Sequence, residues 1–525
     1  MTNLFIQKNK KDIIIKSILL ILLLVYLVVF FTQKIYFVNA DLGRHIKNGE
    51  IFFSSGLPPT TNYYSYVENA FPVVNHHWGS GAIFYIVWKF FSFSGLTMLN
   101  IVAKVITFLL FFLVALRSSN FYTSTLFAFL AMPLIAFRLE IRPEMFSLLF
   151  LGVYYLVLDA FSKNKISFKH ILLLLVPLQA IWCNLHLFFA MGFFLVGIYW
   201  INSIIIKNKT NKYYFFLLIG LVLASFLNPH GLKGVLEPFL ILREYGYTIA
   251  ENMGVIFMQK RFPGNFHYLY FEILFIFLVL SFIFRFKHVK KIKPLLLNLL
   301  LTIFFSALSW KAIRGIPLFA LFFFPIISNN IFVALQGKTK KTQEILQNVS
   351  IIFSICLFIA AFSLPRAYCS PFKGYSGTGL FSRVNQAASF FKNNNISGPI
   401  FNNYDIGGYL IYHLFPKEKV FVDNRPEAYS MSFFSSLYSP ALEKDAQWDS
   451  LNRKYAFNCI FFYRHDSTPY GQPFLIKRIE DPQWVAVFVD NYNIILLKDN
   501  NQNKKIIDQY RIPNSIFSVK KDEQT

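Results

Sequence analysis

Apolar residues gather along this chain in long blocks rather than alternating or recurring on one helical face. The blocks cover residues 14–32, 101–116, 122–137, 145–161, 170–182, 187–206, 213–227, 269–284, 295–308, 316–331 and 349–364. With their flanks they approach roughly 20 residues, the length at which a helix crosses a ~30 Å hydrocarbon core. The pattern predicts a polytopic membrane protein with about eleven spans, since only helices that close their own backbone hydrogen bonds cross lipid in this way. One apolar segment, residues 82–93, is short and ends at Ser94 and Gly95. It is expected to lie in the outer interface or to insert only partly, the alternative being a full span with a compensating re-entrant piece elsewhere.

After residue 365 the pattern changes. Apolar runs shorten to strand length at 399–402, 419–423, 458–463, 484–490 and 493–498, with helical stretches at 387–393, 406–414, 445–455 and 473–478. That alternation predicts a small α/β domain whose last two strands form a hairpin. Residues beyond 498 are polar and expected to be loose. The organisation expected is a membrane domain over 1–365 with a large first outer loop at 36–78, an α/β domain over 366–500, and a polar tail over 501–525.

Composition sharpens the picture. The chain is 55% hydrophobic and 19% aromatic, with 64 Phe and only 15% charged residues, against about 25% in soluble domains. The formal charge of +24 would suggest nucleic acid in a soluble protein. Here the lysines and arginines sit in short turns at the N-terminus and at 163–169, 207–212, 285–293 and 338–341. That is the positive-inside signature, and nucleic acid is set aside as a partner. Lys8, Lys10, Lys11 and Lys16 precede the first block and no small-residue cleavage site follows it, so an uncleaved first span is expected. The N-terminus is then cytoplasmic and the C-terminal domain extracytoplasmic. Cys183 and Cys356 lie in membrane blocks. Cys369 and Cys459 lie beyond them, where a disulfide is open, and no metal-ligand spacing occurs.

Polar residues converge at the outer ends of the spans, where such groups mark function. Asp41, Arg44 and His45 follow the first block, and Asn75, His76, His77 and Trp78 close the first outer loop. Glu140, Arg142 and Glu144 surround Pro143, Asn184 and His186 occupy a hairpin tip, Asn228 and His230 flank Pro229, and Lys311 and Arg314 mark another tip. Each has a plain alternative: snorkelling for the cations, an interfacial ring for His186, a helix start for Pro143 and Pro229, and a solvated rim charge for Glu140.

The motifs carry a resemblance. Ala40-Asp41-Leu42-Gly43-Arg44-His45-Ile46, Gly56-Leu57-Pro58-Pro59-Thr60, Tyr64-Ser65-Tyr66 and Asn75-His76-His77-Trp78 resemble the first outer loop of bacterial membrane proteins of the GT-C glycosyltransferase superfamily. Many of these carry Asp-x-Trp-Trp-His, a Gly-x-Ile helix, Pro-x-x-Asp-x-Phe-Ser-Tyr and Trp-x-x-His-x-Trp. Arg142-Pro143, Ile181-Trp182-Cys183-Asn184-Leu185-His186, Asn228-Pro229-His230-Gly231 and Arg314-Gly315-Ile316-Pro317-Leu318-Phe319 match further motifs. Phe401-Asn402-Asn403-Tyr404-Asp405-Ile406-Gly407-Gly408 and Val422-Asp423-Asn424-Arg425 resemble the same group's outer domain. The chain departs from the pattern where Gly43-Arg44 replaces the paired Trp and Asn62 stands at the Pro-x-x-Asp position.

The resemblance implies a GT-C-like membrane domain of about 11–13 helices in a bacterial inner (plasma) membrane. It further implies inverting transfer of a sugar from a polyprenyl-phosphate donor to a glycan, lipid or protein acceptor. Asp41 would be the base, reaching the acceptor hydroxyl, or alternatively the N-cap of the following helix. Arg142 and Arg314 would receive the donor phosphate, since guanidinium matches it bidentately. Arg44, His45, His76, His77, Trp78, Glu144, Asn184, His186, Asn228 and His230 would line the substrates. A divalent metal is left open, with Asp41, Glu140 and His45 as ligands. Asp423 and Arg425 are read as a pair, and Gly407-Gly408 as packing rather than a phosphate loop. The alternatives are a non-catalytic GT-C-fold protein of cell-envelope glycan assembly, or a transporter of lipid-linked glycans. No internal repeat supports transport.

Overall fold

The computed structural model describes residues 2–241, 243–289, 293–336, 338–363 and 376–517. Cys369 lies outside them. The described residues divide into two compact units, one within Met1–Lys34, Thr97–Pro238 and Ile249–Thr378, the other within Ile35–Leu96, Phe239–Thr248 and Gly379–Thr525.

The first unit is all helical. Among the described residues, nine helices of the chain are long and apolar enough to cross a membrane, and Phe121–Ile135 and Asn211–Ser225 are shorter apolar helices. Ile316–Leu335 forms the centre of this unit, packing on Phe121–Ile135, Phe266–Val289 and Leu296–Lys311. It is apolar all round and every side chain from Ile316 to Ser328 is buried, as a helix surrounded by others must be. Lys340–Ser363 lies at the periphery, with most of its apolar side chains outward, where lipid rather than protein covers them. The helix Trp78–Ser118 is interrupted at Ser92, whose backbone is non-helical (φ 54°, ψ −160°). The short apolar segment 82–93 is therefore a separate helical piece from the long apolar run that follows.

The second unit carries a four-stranded mixed sheet. Its strands are β1 (Ile400–Asn402), β2 (Cys459–Tyr463), β3 (Trp484–Val489) and β4 (Asn493–Lys498), in the order β1-β2-β4-β3. β1 pairs with β2 in parallel, while β4 pairs antiparallel with both β2 and β3, giving the expected hairpin. An aromatic core of Phe401, Phe421, Phe433, Trp448, Phe457 and Phe474 packs against the sheet.

Residues 419–423 correct one expectation, because they do not join the sheet. The Asn402 side chain occupies the edge, accepting from Phe421 N–H (2.9 Å) and donating to Val422 O (2.7 Å). Val420 instead bridges to Ser65 of the first loop. A second correction concerns the tail. Lys504–Tyr510 is a helix packed on β3 through fully buried Ile507, and Ile512 N–H donates to Ala486 O at 2.8 Å.

Helix Leu42–Ser55 is gripped through glycines. A Cβ at Gly43 would meet Gly408 O at 2.5 Å and the Tyr412 Cβ at 2.9 Å, and one at Gly49 would meet Gly81 O at 2.2 Å. Gly408 itself lies 2.7 Å, measured from an ideal Cβ, from Ala40 O. Gly407-Gly408 is thus a packing element, and Gly43 stands in place of a tryptophan because no side chain fits there.

Candidate functional site

In the first unit, the turn between Phe121–Ile135 and Glu144–Ser162 meets two other turns. The Ala250–Asn252 turn docks on Ile313–Gly315 through Ile313 N–H donating to Met253 O at 2.9 Å. This brings Glu251 among arginines. Arg138 pairs with Glu144 (2.8 Å) and closely with Glu251, and Arg142 pairs with Glu140 (2.5 Å) and Glu251 (3.1 Å). Lys104 donates from Nζ to Arg138 O at 2.9 Å and stacks 5.2 Å over Phe31. Burial alone would raise the Glu251 carboxyl, but the guanidiniums of Arg138, Arg142 and Arg314 hold it down to about 2. The same opposition leaves Glu140 below the usual carboxylate range, with Arg142 and Arg138 outweighing burial.

Arg314 sits in the Ile313–Gly315 turn with its guanidinium 5.5 Å over the Phe188 ring. His186 is extended between Phe168–Leu185 and the following turn. Its Nδ1 lies 2.8 Å from Ser147 Oγ, which accepts from Trp182 Nε1 (2.7 Å), and Phe188 N–H donates to the same Nδ1 at 3.4 Å. Nδ1 is therefore the acceptor and Nε2 carries the proton. Lys104, Arg138, Arg142 and Arg314 face Glu140, Glu144 and Glu251, leaving one positive charge over. A void of about 30 Å³ beside Lys104, Arg138, Glu140, Arg142 and Glu144 holds one water-sized molecule.

Arg138, Lys104 and Glu251 escaped the sequence reading. Lys104 offered a signal, as a lone cation inside an apolar run. Glu251 offered none, since its partners lie more than a hundred residues away. The structure does not gather all the expected lining residues here. Asn184 donates to Ala180 O and Leu227 O (2.7 Å each), tying two helix ends together. Asn228 donates to Ser225 O and Gly231 O and accepts from His230 N–H, which builds the turn around Pro229.

In the second unit, Asp41 precedes helix Leu42–Ser55 with helical dihedrals (φ −64°, ψ −15°) and makes no side-chain cap bond. The N-cap alternative is thereby corrected. Arg44 is buried and donates from Nε to Asn424 Oδ1 at 3.4 Å. It also faces Glu427, whose carboxyl burial pushes up against the pull of Arg44. Burial raises the phenol of Tyr404, and the carboxylates of Glu427, Asp41 and Asp405 add to that. His45 meets His77 edge to face at 5.3 Å between ring centres, the His77 ring lies 3.9 Å from that of His76, and Trp78 packs on Phe52. Asp423 and Arg425 pair as expected (2.7 Å), and Arg425 also donates to Asn62 Oδ1 at 3.0 Å. Asn62, the second departure from the motif, is thus a neutral acceptor for an arginine already paired. Among the described residues, no group of three His, Cys, Asp or Glu side chains is placed to hold a metal ion.

No protein-family model and no curated protein sequence matches the chain. Solved structures do. ArnT from Cupriavidus metallidurans, bound to undecaprenyl phosphate, superposes with a TM-score of 0.54 at 10% identity over 93% of this chain and 98% of that one. The arabinofuranosyltransferase AftD from Mycobacteria superposes with a TM-score of 0.53 at 11% identity over 93% of this chain and 42% of that one. These likenesses show the fold: a multi-pass helical membrane protein with a small mixed-sheet domain, of the architecture seen in ArnT and AftD.

Proposed function

We propose that this protein transfers a sugar from a polyprenyl-phosphate donor to an acceptor at the extracytoplasmic face of the inner membrane, the donor class being that of the lipid held by ArnT. The observation that carries the reading is the cation cluster of Arg138, Arg142, Arg314 and Lys104, set at helix ends in a GT-C fold. A leaving polyprenyl phosphate develops negative charge as the anomeric C–O bond breaks, and guanidiniums fixed at that depth stabilise it. Asp41 removes the acceptor proton as the acceptor oxygen bonds to the anomeric carbon from the opposite face. The proton ends on Asp41 and the electron pair on the departing phosphate, so the configuration inverts. Glu427, whose carboxyl burial pushes up against the pull of Arg44, is assigned to the surroundings of Arg44. His186 Nε2–H, Arg44 and the His45, His76, His77 and Trp78 group are assigned to sugar and acceptor contacts. Glu144 holds Arg138, while Asn184, Asn228 and His230 shape the surrounding turns.

The test compares cell-surface glycans and lipid-linked sugars in cells carrying wild type, Asp41→Asn or no copy. Accumulated lipid-linked sugar with Asp41→Asn, at normal protein levels, is the expected outcome. An unchanged glycan profile with Asp41→Asn would remove Asp41 from the chemistry. A profile changed by loss of the gene but not by Asp41→Asn would favour the non-catalytic assembly role.

A further inference from the structure

A large cavity of the first unit lies away from the arginine cluster, at the ends of the helices that carry lysine-rich turns. It measures about 830 Å³ and is bounded by the starts of Lys10–Phe31, Phe121–Ile135 and Lys340–Ser363 and by the end of Ile316–Leu335. Its charges are balanced: Asp12 and Glu344 against Lys16 and Lys340. Asp12 accepts a close hydrogen bond from Tyr122 Oη and pairs with Lys16 at 2.6 Å. The start of Phe121–Ile135, capped by Asn120 Oδ1 on Thr123 N–H (2.9 Å), opens into the cavity and favours an anion there. Thr123 also lines it, 1% exposed, with its hydroxyl oxygen unpaired.

We propose that this cavity binds the head group of a zwitterionic phospholipid with a primary ammonium. The phosphate lies at Lys16, Lys340 and the helix start, and the ammonium at Asp12 and Glu344. Balanced charge disfavours a purely anionic lipid, whose head group would leave both carboxylates facing negative charge. A quaternary ammonium donates no hydrogen bonds to those carboxylates. The depth fits a lipid, because the cavity sits where spans end and begin. Its walls also fit: Lys10–Phe31 and Lys340–Phe362 are among the least buried spans, so the cavity borders the bilayer, and Phe332, Leu335 and Leu346 line it for the acyl-proximal part. This assignment is independent of the transfer reaction.

The full chain in detergent is mixed with equal amounts of phosphatidylethanolamine, phosphatidylcholine and phosphatidylglycerol, and retained lipid is counted by native mass spectrometry. Phosphatidylethanolamine is expected to be retained preferentially. Lys340→Gln/Glu344→Gln, at two exposed positions, is expected to weaken that retention about tenfold, the size of two lost charged contacts each weakened by solvent screening. Thr123→Val should weaken it less. Equal retention of the three lipids, or preference unchanged in the double variant, overturns the proposal. Displacement of bound lipid by millimolar glycerophosphoethanolamine assigns the cavity to a soluble diester and overturns it as well.

Discussion

Glu251 is held by two arginines directly and by a third at longer range, so Glu251→Gln is the most informative single change in the first unit. Lowering its carboxyl from 4.5 to about 2 is worth about 3 kcal/mol at 1.36 kcal/mol per pH unit. The side chain is 30% exposed, and solvent screening reduces this to about 1–2 kcal/mol. A depressed carboxyl stabilises the fold fully above its unfolded value and loses that contribution as pH falls toward 2. Glu251→Gln is therefore expected to be less stable than wild type by about 1–2 kcal/mol at pH 7, with the gap closing as the pH is lowered from about 4.5 toward 2. Equilibrium unfolding in mixed micelles, followed by tryptophan fluorescence across that pH range, reads the gap directly. On the proposed function, the same variant removes an anion competing for Arg138 and Arg142, so it is expected to retain an added polyprenyl phosphate more tightly than wild type. Equal stability at pH 7, or a gap that persists at pH 2.5, would refute the electrostatic account of this cluster.

Two further outcomes concern the second unit. Gly49→Ala puts a methyl 2.2 Å from the Gly81 backbone oxygen, which cannot rotate away. The helix must shift, at a cost of about 1–3 kcal/mol, seen as faster proteolysis of the Leu42–Ser55 region, whereas Gly56→Ala, with open space around its Cβ position but a left-handed φ, should show a smaller loss. Arg425→Met leaves the fully buried Asp423 carboxylate unpaired and should cost about 3–5 kcal/mol. Adding Asp423→Leu should recover most of that, and an additive double variant would show that the two groups do not act as a pair.

The spans were legible because a helix crossing lipid must be long and apolar, and length and composition are directly visible in a chain. The Asp423–Arg425 pair was legible for a similar reason, being local. What escaped depends on distant partners. Residues 419–423 look like a strand by composition, and only the Asn402 side chain, which occupies the sheet edge, makes them something else. Lys504–Tyr510 is polar except for its isoleucines, and the one contact that orders it, Ile507 on β3, has no local signature. Arg142 and Arg314 stood out in the sequence because they sit in motifs. Glu251, which neutralises Arg142, lies in an unremarkable stretch of loop. The motif departures at Gly43 and Asn62 read as losses in the sequence, yet each meets a matching partner in the fold, Gly408 and Arg425.

The glycine seams on Leu42–Ser55 bear on how such a protein can diversify. A helix clasped backbone to backbone on two of its sides has no freedom to roll, so the bearing of Asp41, Arg44 and His45 is dictated from behind. An exchange of any one of those three side chains then leaves the bearing of the other two unchanged. A bulky side chain at residue 43 would require the opposing helix Gly407–Leu414 to withdraw first.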